Sequence, residues 1–173
     1  MNMNCQLVCE ITEKWRIKLY HFTDIANIPS IHENGLLPKR CLEERGIRFN
    51  PVSNEWSQCA DQRNSLDCYV HLCFKNQHQM AYARRHQGCN IVFLEISTDV
   101  LYYDGVLFTN DVSNKHGVIP FSIDEFENNI DCDVLFGTTN WFDPSIQNRL
   151  QNAEKSEVLI PTVIPTNKII FPS

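Results

Sequence analysis

The sequence predicts an α+β fold, and the order of its predicted elements favours that class. Predicted strands outnumber predicted helices and come in runs, whereas a doubly wound parallel sheet would alternate strand and helix along the chain. Pro161 and Pro165 stand between the last two predicted strands, where proline favours sheet edges or strand ends. A length of 173 residues suits one domain with its own core, spanning residues 1–173.

The composition favours a protein of the cytoplasm. No stretch approaches the roughly 18 consecutive apolar residues of a membrane helix. The first residues lack the basic and apolar regions of a secretory signal. We therefore expect a reducing, cytoplasmic compartment in which the eight cysteines are free thiols. None of the Cys and His spacings forms paired zinc ligands, so no metal is expected.

Charge is distributed unevenly along the chain. The formal net charge is −6, which argues against a protein that binds any nucleic acid through general electrostatic attraction. However, 11 of the 15 Lys and Arg residues lie in residues 1–90, and 12 of the 21 Asp and Glu residues lie beyond them. The first half therefore carries the basic surface, although such loose clusters are also typical of solvated charges.

The segment around Lys18–Phe22 predicts a strand that leads directly into a helix. Its apolar and aromatic bias is typical of a short strand, and Thr23 or Asp24 can cap the next segment by accepting backbone N–H bonds. Pro29 suits the first turn of a helix, and Gly35 stands where a residue with positive φ ends one. The N–H groups at such a helix start, beside a polar strand end, are suited to ribose or phosphate oxygens.

The rest of the chain predicts further elements. In order, we expect a long functional loop over 39–65 with about one helical turn, a strand over 69–74, a helix capped by Asn76 and running through Arg85, strands over 90–96 and 106–109, a loop over 111–117, an acidic helix over 121–129, a strand over 133–136, a loop over 137–144, and strands over 157–160 and 168–171. Residues 10–18 suit either a helix or a strand.

Three polar residues together suit cleavage of the bond between nicotinamide and ribose. His21 would bind a ribose, Arg63 a phosphate, and Glu157 a ribose hydroxyl. That cleavage develops positive charge on the sugar, which a carboxylate stabilises. The chain has neither a Gly-x-Gly-x-x-Gly nor a P-loop motif, so a nucleotide would bind by another arrangement. Glu157 alone is equally typical of a charge at a strand edge.

Several segments carry a resemblance to one family. They are Tyr20–Thr23, Asn27–Ile31, Asn34–Leu37, Arg63, Asp67–Phe74, Met80-x-Tyr82 and Lys155–Ile160. In order and spacing they resemble the DarT family of nucleic-acid ADP-ribosyltransferases, and the resemblance covers nearly all of the chain after Lys18.

The resemblance implies both a fold and an activity. The fold would be an ADP-ribosyltransferase fold, with two small packed sheets around an NAD cleft and helices outside. NAD would be consumed as a substrate, and a base in single-stranded DNA would accept the ADP-ribose. Such proteins are commonly toxins of toxin–antitoxin or phage-defence systems, restrained by a partner that removes the modification.

The resemblance also implies roles for individual residues. The cofactor-binding set would be His21, Phe22, Thr23, Ser30, Pro38 and Arg63, and the catalytic pair would be Glu157 and Arg63. Arg63 would also help to deprotonate the target base. The segment Asp111–Ser156, which contains Trp141 and Phe142, would recognise the acceptor, since aromatic rings stack on unpaired bases.

Three function classes remain open at this point. They are a DNA base-modifying ADP-ribosyltransferase, an NAD-consuming enzyme that acts on RNA, protein or water, and a catalytically silent nucleotide-binding module. A tRNA 2′-phosphotransferase shares the general fold but works without a catalytic glutamate, so Glu157 argues against it.

Overall fold

The computed structural model describes residues 3–52, 65–140 and 142–172. Its helices are α1 (Met3–Trp15), α2 (Ile28–Asn34), α3 (Lys39–Glu44), α4 (Gln79–His86), α5 (Phe126–Asn129), α6 (Cys132–Phe136) and α7 (Pro144–Ala153). Its strands are β1 (Leu19–Asp24), β2 (Val70–Cys73), β3 (Ile91–Ile96), β4 (Leu107–Thr109), β5 (Glu157–Ile160) and β6 (Ile169–Ile170). The mixture of helices with an antiparallel sheet confirms the α+β prediction.

The six strands form one antiparallel sheet in the order β4-β5-β2-β1-β3-β6. The expectation of two separate sheets is therefore wrong for the described residues. The two halves are joined into one sheet because β1 and β2 pair at a short junction, where Tyr20 lies opposite Cys73. By contrast, β1 pairs with β3 along its whole length, from Leu19 opposite Ile96 to Asp24 opposite Ile91. Two three-stranded halves thus meet along a short seam.

The apolar face of the sheet forms one hydrophobic core with residues of α1, α5, α6 and α7. Alternation along β2 buries Val70, Leu72 and Phe74, as the sequence predicts. His71 consequently lies on the opposite face, away from the main core. Phe126 of α5 is fully buried and packs edge to face against Phe74, with 5.9 Å between ring centroids.

The predicted strand, the helix that follows it and the glycine that ends this helix are all observed. Asp24 caps the short 3₁₀ helix Ile25–Asn27 by accepting the Ala26 N–H at 2.9 Å, and α2 follows directly with Pro29 in its first turn. Gly35 ends α2 with a φ of 75° and a ψ of −174°, a region that essentially only glycine adopts. The next residue, Leu36, then forms an antiparallel bridge with Ile164.

Two predictions between β2 and β5 are wrong. The expected strand over 133–136 is part of helix α6, because a four-residue apolar run has no periodicity that separates a buried strand from a buried helix. The helix expected after Asn76 begins only at Gln79, since His78 is the residue whose ring accepts a backbone N–H, from Met80 at 3.3 Å.

Two further segments contain more helix than predicted. The long loop that begins at Lys39 opens with α3, and the acceptor segment expected over Asp111–Ser156 contains the ten-residue helix α7. Asp143 caps α7 by accepting the Ser145 N–H at 2.8 Å, and Pro144 fills its first position. Aspartate followed by proline is a helix-start signal, so this element was readable from the sequence.

The segment left open over residues 10–18 is mostly helical, as the second half of α1. Val8 and Ile11 on its inner face are buried, which explains why helix is favoured over strand at this spacing. Within the described ranges of the chain, no helix combines the length and apolar character needed to cross a bilayer.

Candidate active site

A cavity of about 230 Å³ opens where β1, α2 and the polar face of β2 and β5 converge. Its wall includes His21, Phe22 and Thr23 of β1, with Ser30 of α2 and Glu157 of β5. Four of the predicted cofactor-binding residues and the predicted catalytic carboxylate therefore surround one space. β1 and β5 are more than 130 residues apart in the sequence, and they come close together because β2 pairs with both strands.

Glu157 is a buried carboxylate held by several partners. Only 9% of the residue is exposed, and its Oε2 accepts the Ser113 backbone N–H at 3.1 Å. The same oxygen lies 3.3 Å from Nδ1 of His71. Burial alone would raise the pKa of Glu157, but the interactions with His71 and Ser113 outweigh it and hold the pKa below its ordinary value. The carboxylate is therefore charged at neutral pH and fixed in orientation.

His71 is oriented by acceptors at both ring nitrogens. Nε2 lies 3.0 Å from the carbonyl oxygen of Leu66, to which it donates. Nδ1 faces Glu157 and also lies 3.3 Å from Oγ of Ser113. A ring protonated at both nitrogens donates to the carbonyl and the carboxylate at once, which forms a charge-assisted pair with Glu157.

His21 presents a hydrogen-bond acceptor to the cavity. Its Nδ1 donates to the carbonyl oxygen of His71 at 3.0 Å, which leaves Nε2 as the acceptor nitrogen of the neutral ring. Burial lowers the pKa of His21, more than its hydrogen bond to His71 raises it. A neutral acceptor suits a ribose hydroxyl, which donates, better than a phosphate oxygen, which only accepts.

The neighbours of His21 hold the cavity wall together. The ring of Phe22 stacks on His78, with 5.1 Å between centroids. Thr23 is buried, and its Oγ1 accepts the Asn27 side-chain N–H at 3.0 Å. Asn27 also exchanges two hydrogen bonds with the backbone of Asn50, at 2.7 and 2.9 Å. The chain that follows α3 is thereby tied to the start of α2.

Not every residue predicted for the site lines this cavity. Pro38 is buried at the start of α3, and its neighbours Leu37 and Lys39 are the residues that contribute to the wall. Arg63 and Trp141 lie outside the described residues. Phe142 is 93% exposed, beside the start of α7.

The sequence interpretation missed His71 and Ser113, the two partners of Glu157. The signal for His71 was present, because strict alternation along β2 places it on the face opposite Val70 and Leu72. Ser113 carried no local signal, since it lies in a loop and reaches Glu157 only through tertiary packing. Asp67, which is buried and receives two hydrogen bonds from Arg40 at 2.7 and 3.3 Å, was also missed as part of the wall.

Comparison with solved structures identifies the fold. The chain matches Thermosipho africanus DarTG in complex with ADP-ribose, with a TM-score of 0.70 and 20% identity over 88% of this chain. It also matches Thermus sp. 2.9 DarT in complex with ADP-ribosylated ssDNA and with NAD+, with TM-scores of 0.67 and 0.63, identities of 18% and 20%, and 88% coverage of this chain. The chain spans 42% of the Thermosipho DarTG chain and 78% and 79% of the two Thermus chains. The fold is thus that of DarT ADP-ribosyltransferases.

A family model described as ssDNA thymidine ADP-ribosyltransferase, DarT, matches residues 20–170. The chain belongs to the DarT family. No curated protein sequence matches it. The family assignment confirms the resemblance drawn from the sequence motifs.

Proposed function

We propose that this protein transfers ADP-ribose from NAD to the base of a thymidine in single-stranded DNA and releases nicotinamide. The observation that carries the proposal is the buried, ionised carboxylate of Glu157 in the wall of a cavity shared with His21. Membership of the DarT family supplies the substrate class. NAD is consumed in this reaction, and the reaction as proposed uses no metal.

The chemistry follows from the charges in the cavity. The bond between nicotinamide and ribose C1′ breaks with the electron pair leaving on nicotinamide, and the ribose becomes positively charged. Glu157 stabilises that charge and accepts a hydrogen bond from a ribose hydroxyl, while Nε2 of His21 accepts another. The fixed orientation of Glu157 matters because a preorganised charge needs no rearrangement as the reaction proceeds.

The acceptor must lose a proton as the new bond forms. In thymidine the remaining ring N–H is N3–H, so transfer to that ring nitrogen forms the C1′–N3 bond, breaks the N3–H bond and releases the proton to solvent water. Arg63 remains in the proposal as the cation near NAD and the base. A guanidinium stays protonated, so its contribution is to stabilise the developing negative charge on the thymine ring. Val52 and Asp67, which flank residues 53–64 in the described chain, both line the cavity, which supports this placement.

The remaining parts of the proposal concern binding and biological context. Phe22, Thr23 and Ser30 would contact NAD beside His21, and Pro38 would hold Leu37 and Lys39 in the wall. We further propose that the protein is the toxin of a toxin–antitoxin pair and is restrained by a partner that removes or blocks the modification. The cytoplasm is the proposed compartment, and the free thiols of the described cysteines fit its reducing conditions.

Incubation with NAD and defined acceptors tests the proposed function. We expect mass spectrometry to detect free nicotinamide and one ADP-ribose adduct on a thymidine-containing single strand. A matched strand without thymidine should remain unmodified. Modification of RNA or protein in place of DNA would contradict the acceptor, and binding of NAD without turnover would favour a nucleotide-binding module.

Replacement of His71 is expected to change the pH dependence of transfer. In His71→Gln, burial of Glu157 is no longer opposed by the ring, so the pKa of Glu157 rises and the acid limb of the rate profile moves to higher pH. Loss of one charge-assisted hydrogen bond should also reduce the rate at neutral pH by about tenfold. The amide of His71→Asn retains a donor near the position of Nδ1, so this variant should show the smaller shift. Identical acid limbs in the wild type and both variants would rule out the pairing.

The same pairing predicts how stability depends on pH. Because the folded-state pKa of Glu157 is lower than the unfolded value, folding favours the ionised carboxylate. This contribution to stability is present above the ordinary glutamate pKa and is lost as the pH falls through the folded-state pKa. Acid unfolding of His71→Gln should therefore begin at higher pH than that of the wild type.

A further inference from the structure

A second concave surface lies beside the candidate active site and is basic, although the chain as a whole is acidic. This groove, of about 540 Å³, runs between the end of α1, the start of β1 and the segment after β2. Its cations are Lys14, Arg16, Lys18 and Lys75. No Asp or Glu is found among the described residues that line it. Four of the 15 Lys and Arg residues are thus concentrated at one surface of a chain with a net charge of −6.

Acidic neighbours neutralise only part of this charge. Lys14 pairs with Glu127 at 2.6 Å, and Lys18 pairs with Glu95 at 3.3 Å. No ion pair within the described part of the chain involves Arg16 or Lys75. Burial raises the pKa of the Glu154 carboxyl, and the charge of Lys75 lowers that pKa by a smaller amount. Arg16 and Lys75 are therefore the cations best able to contact an added anion.

Arg16 occupies a position where glycine is the usual residue. It follows α1 with a φ of 49°, and the next residue, Ile17, donates its N–H to the carbonyl oxygen of Thr12 at 3.1 Å. This pattern is a helix C-terminus in which glycine avoids the steric cost that other residues incur at positive φ. The Arg16 side chain is exposed, and replacing it with glycine would remove the charge without adding backbone strain.

Aromatic rings stand among these cations. Trp15, Tyr20 and Phe136 line the groove and are each only partly buried. Trp15 is held in place by donating its indole N–H to Glu127 at 2.7 Å. Cations alternating with partly exposed rings are the pattern that binds single-stranded nucleic acid, since phosphates pair with the cations and bases stack on the rings.

One residue of β2, Cys73, separates the groove from Glu157 across the sheet. Cys73 pairs with Tyr20 on one side and with Glu157 on the other. Directly opposed residues present their side chains on the same face, so Tyr20 and Glu157 lie two strand spacings apart, about 10 Å. Burial raises the pKa of the intervening Cys73 thiol to about 12, so no thiolate charge separates them.

We propose that the groove lined by Arg16, Lys75 and Tyr20 binds the single-stranded DNA that flanks the modified thymidine. The inference rests on the proposed function, because it places the same acceptor strand. Phosphates would contact Arg16 and Lys75, while a flanking base would stack on Tyr20. The adjoining target base would then reach the cavity that contains Glu157.

Binding of labelled oligothymidylate in the absence of NAD tests this surface. We expect the double variant Arg16→Gly with Lys75→Gln to bind about 25-fold more weakly at about 0.1 M salt, because each lost phosphate contact is worth a factor of about 5 there. The slope of log K against log salt concentration is negative, and its magnitude should become smaller by about 1.4. The double variant Arg45→Gln with Arg48→Gln, which removes two exposed cations elsewhere, should bind as the wild type does.

The single variant Arg16→Gly separates a role in binding from a role in folding. Glycine adopts a positive φ without steric cost, so the melting temperature of the variant should be at or above that of the wild type. Its affinity for DNA should nevertheless be lower. Unchanged affinity in the groove variants, or an equal loss in the Arg45 and Arg48 control, would overturn the proposal. Groove variants that bind oligouridylate more weakly but retain binding of oligothymidylate would overturn it in favour of RNA.

Transfer assays distinguish this inference from the proposed function. Groove variants should modify a short thymidine oligonucleotide as the wild type does but lose the advantage of a longer strand. If the wild type modifies DNA and the variants modify long strands equally well, only the groove assignment fails. If the wild type modifies no DNA, the proposed function fails and the groove assignment with it.

Discussion

Replacing Glu157 with glutamine is expected to reduce the rate of ADP-ribose transfer by about 10² to 10³, which corresponds to about 3 to 4 kcal/mol. Glutamine preserves the shape of the side chain but removes the negative charge that stabilises the ribose cation. NAD binding should remain within several-fold of the wild-type value, because we expect most of the affinity to come from adenosine and pyrophosphate, whereas the role proposed for this carboxylate is at the ribose. Parallel measurements of turnover and of NAD affinity by calorimetry test both statements.

Glu154→Gln is the matched control for this variant. Glu154 is a partly buried carboxylate three residues earlier in the chain, at the end of α7, and does not line the cavity. Its replacement should leave the rate within about twofold of the wild type. Retained transfer in Glu157→Gln would discard Glu157 as a catalytic residue. Simultaneous loss of transfer and of NAD binding would assign it a structural role or a role in substrate binding.

Glutamine is a better replacement than alanine because of the surroundings of Glu157. The sequence alone also allowed an exposed edge charge, for which removal would cost only a few tenths of a kcal/mol. In the structure Glu157 is only 9% exposed, and its carboxylate contacts His71. Truncation to alanine would leave His71 without its charged partner and would mix a stability defect with the catalytic one.

Gly35→Ala is expected to lower the free energy of unfolding by about 3 kcal/mol. A Cβ at this position would lie 2.4 Å from the carbonyl oxygen of Ile164, and the backbone φ of 75° is itself unfavourable for alanine. The chain must then move away from Ile164 and weaken the two hydrogen bonds, each 2.9 Å, that join it to Leu36. Urea unfolding monitored by circular dichroism measures the change.

Gly46→Ala isolates the contribution of the steric clash. Gly46 also has a positive φ, of 63°, but no atom beyond its two chain neighbours lies within 4 Å of the position that an alanine Cβ would occupy there. This variant should cost only about 1 kcal/mol, the penalty for a left-handed alanine. Equal losses in the two variants would mean that the contact with Ile164 contributes nothing. Because Leu36 and Gly35 line the cavity, Gly35→Ala should also weaken NAD binding.

Local signals in the sequence were sufficient for much of the fold. The strand before Asp24, the turn at Gly35 and the alternation along β2 each rest on a stereochemical rule that acts within a few residues. Such rules hold wherever the chain is placed, and the corresponding elements are observed. Short apolar runs carry no such rule, so residues 133–136 were assigned to a strand although they form part of α6.

The sequence by itself determined the residue types that the proposed chemistry needs: a carboxylate at the start of β5, a histidine within β1, and the motifs that define the family. Only the tertiary structure decided that Glu157 is charged and held in place. His71 and Glu157 are 86 residues apart, and they meet because β2 and β5 pair in a register that sets Cys73 opposite Glu157. Strand register depends on the whole hydrophobic pattern of a sheet and on hydrogen bonds between distant segments, so no local stretch of the sequence contains it.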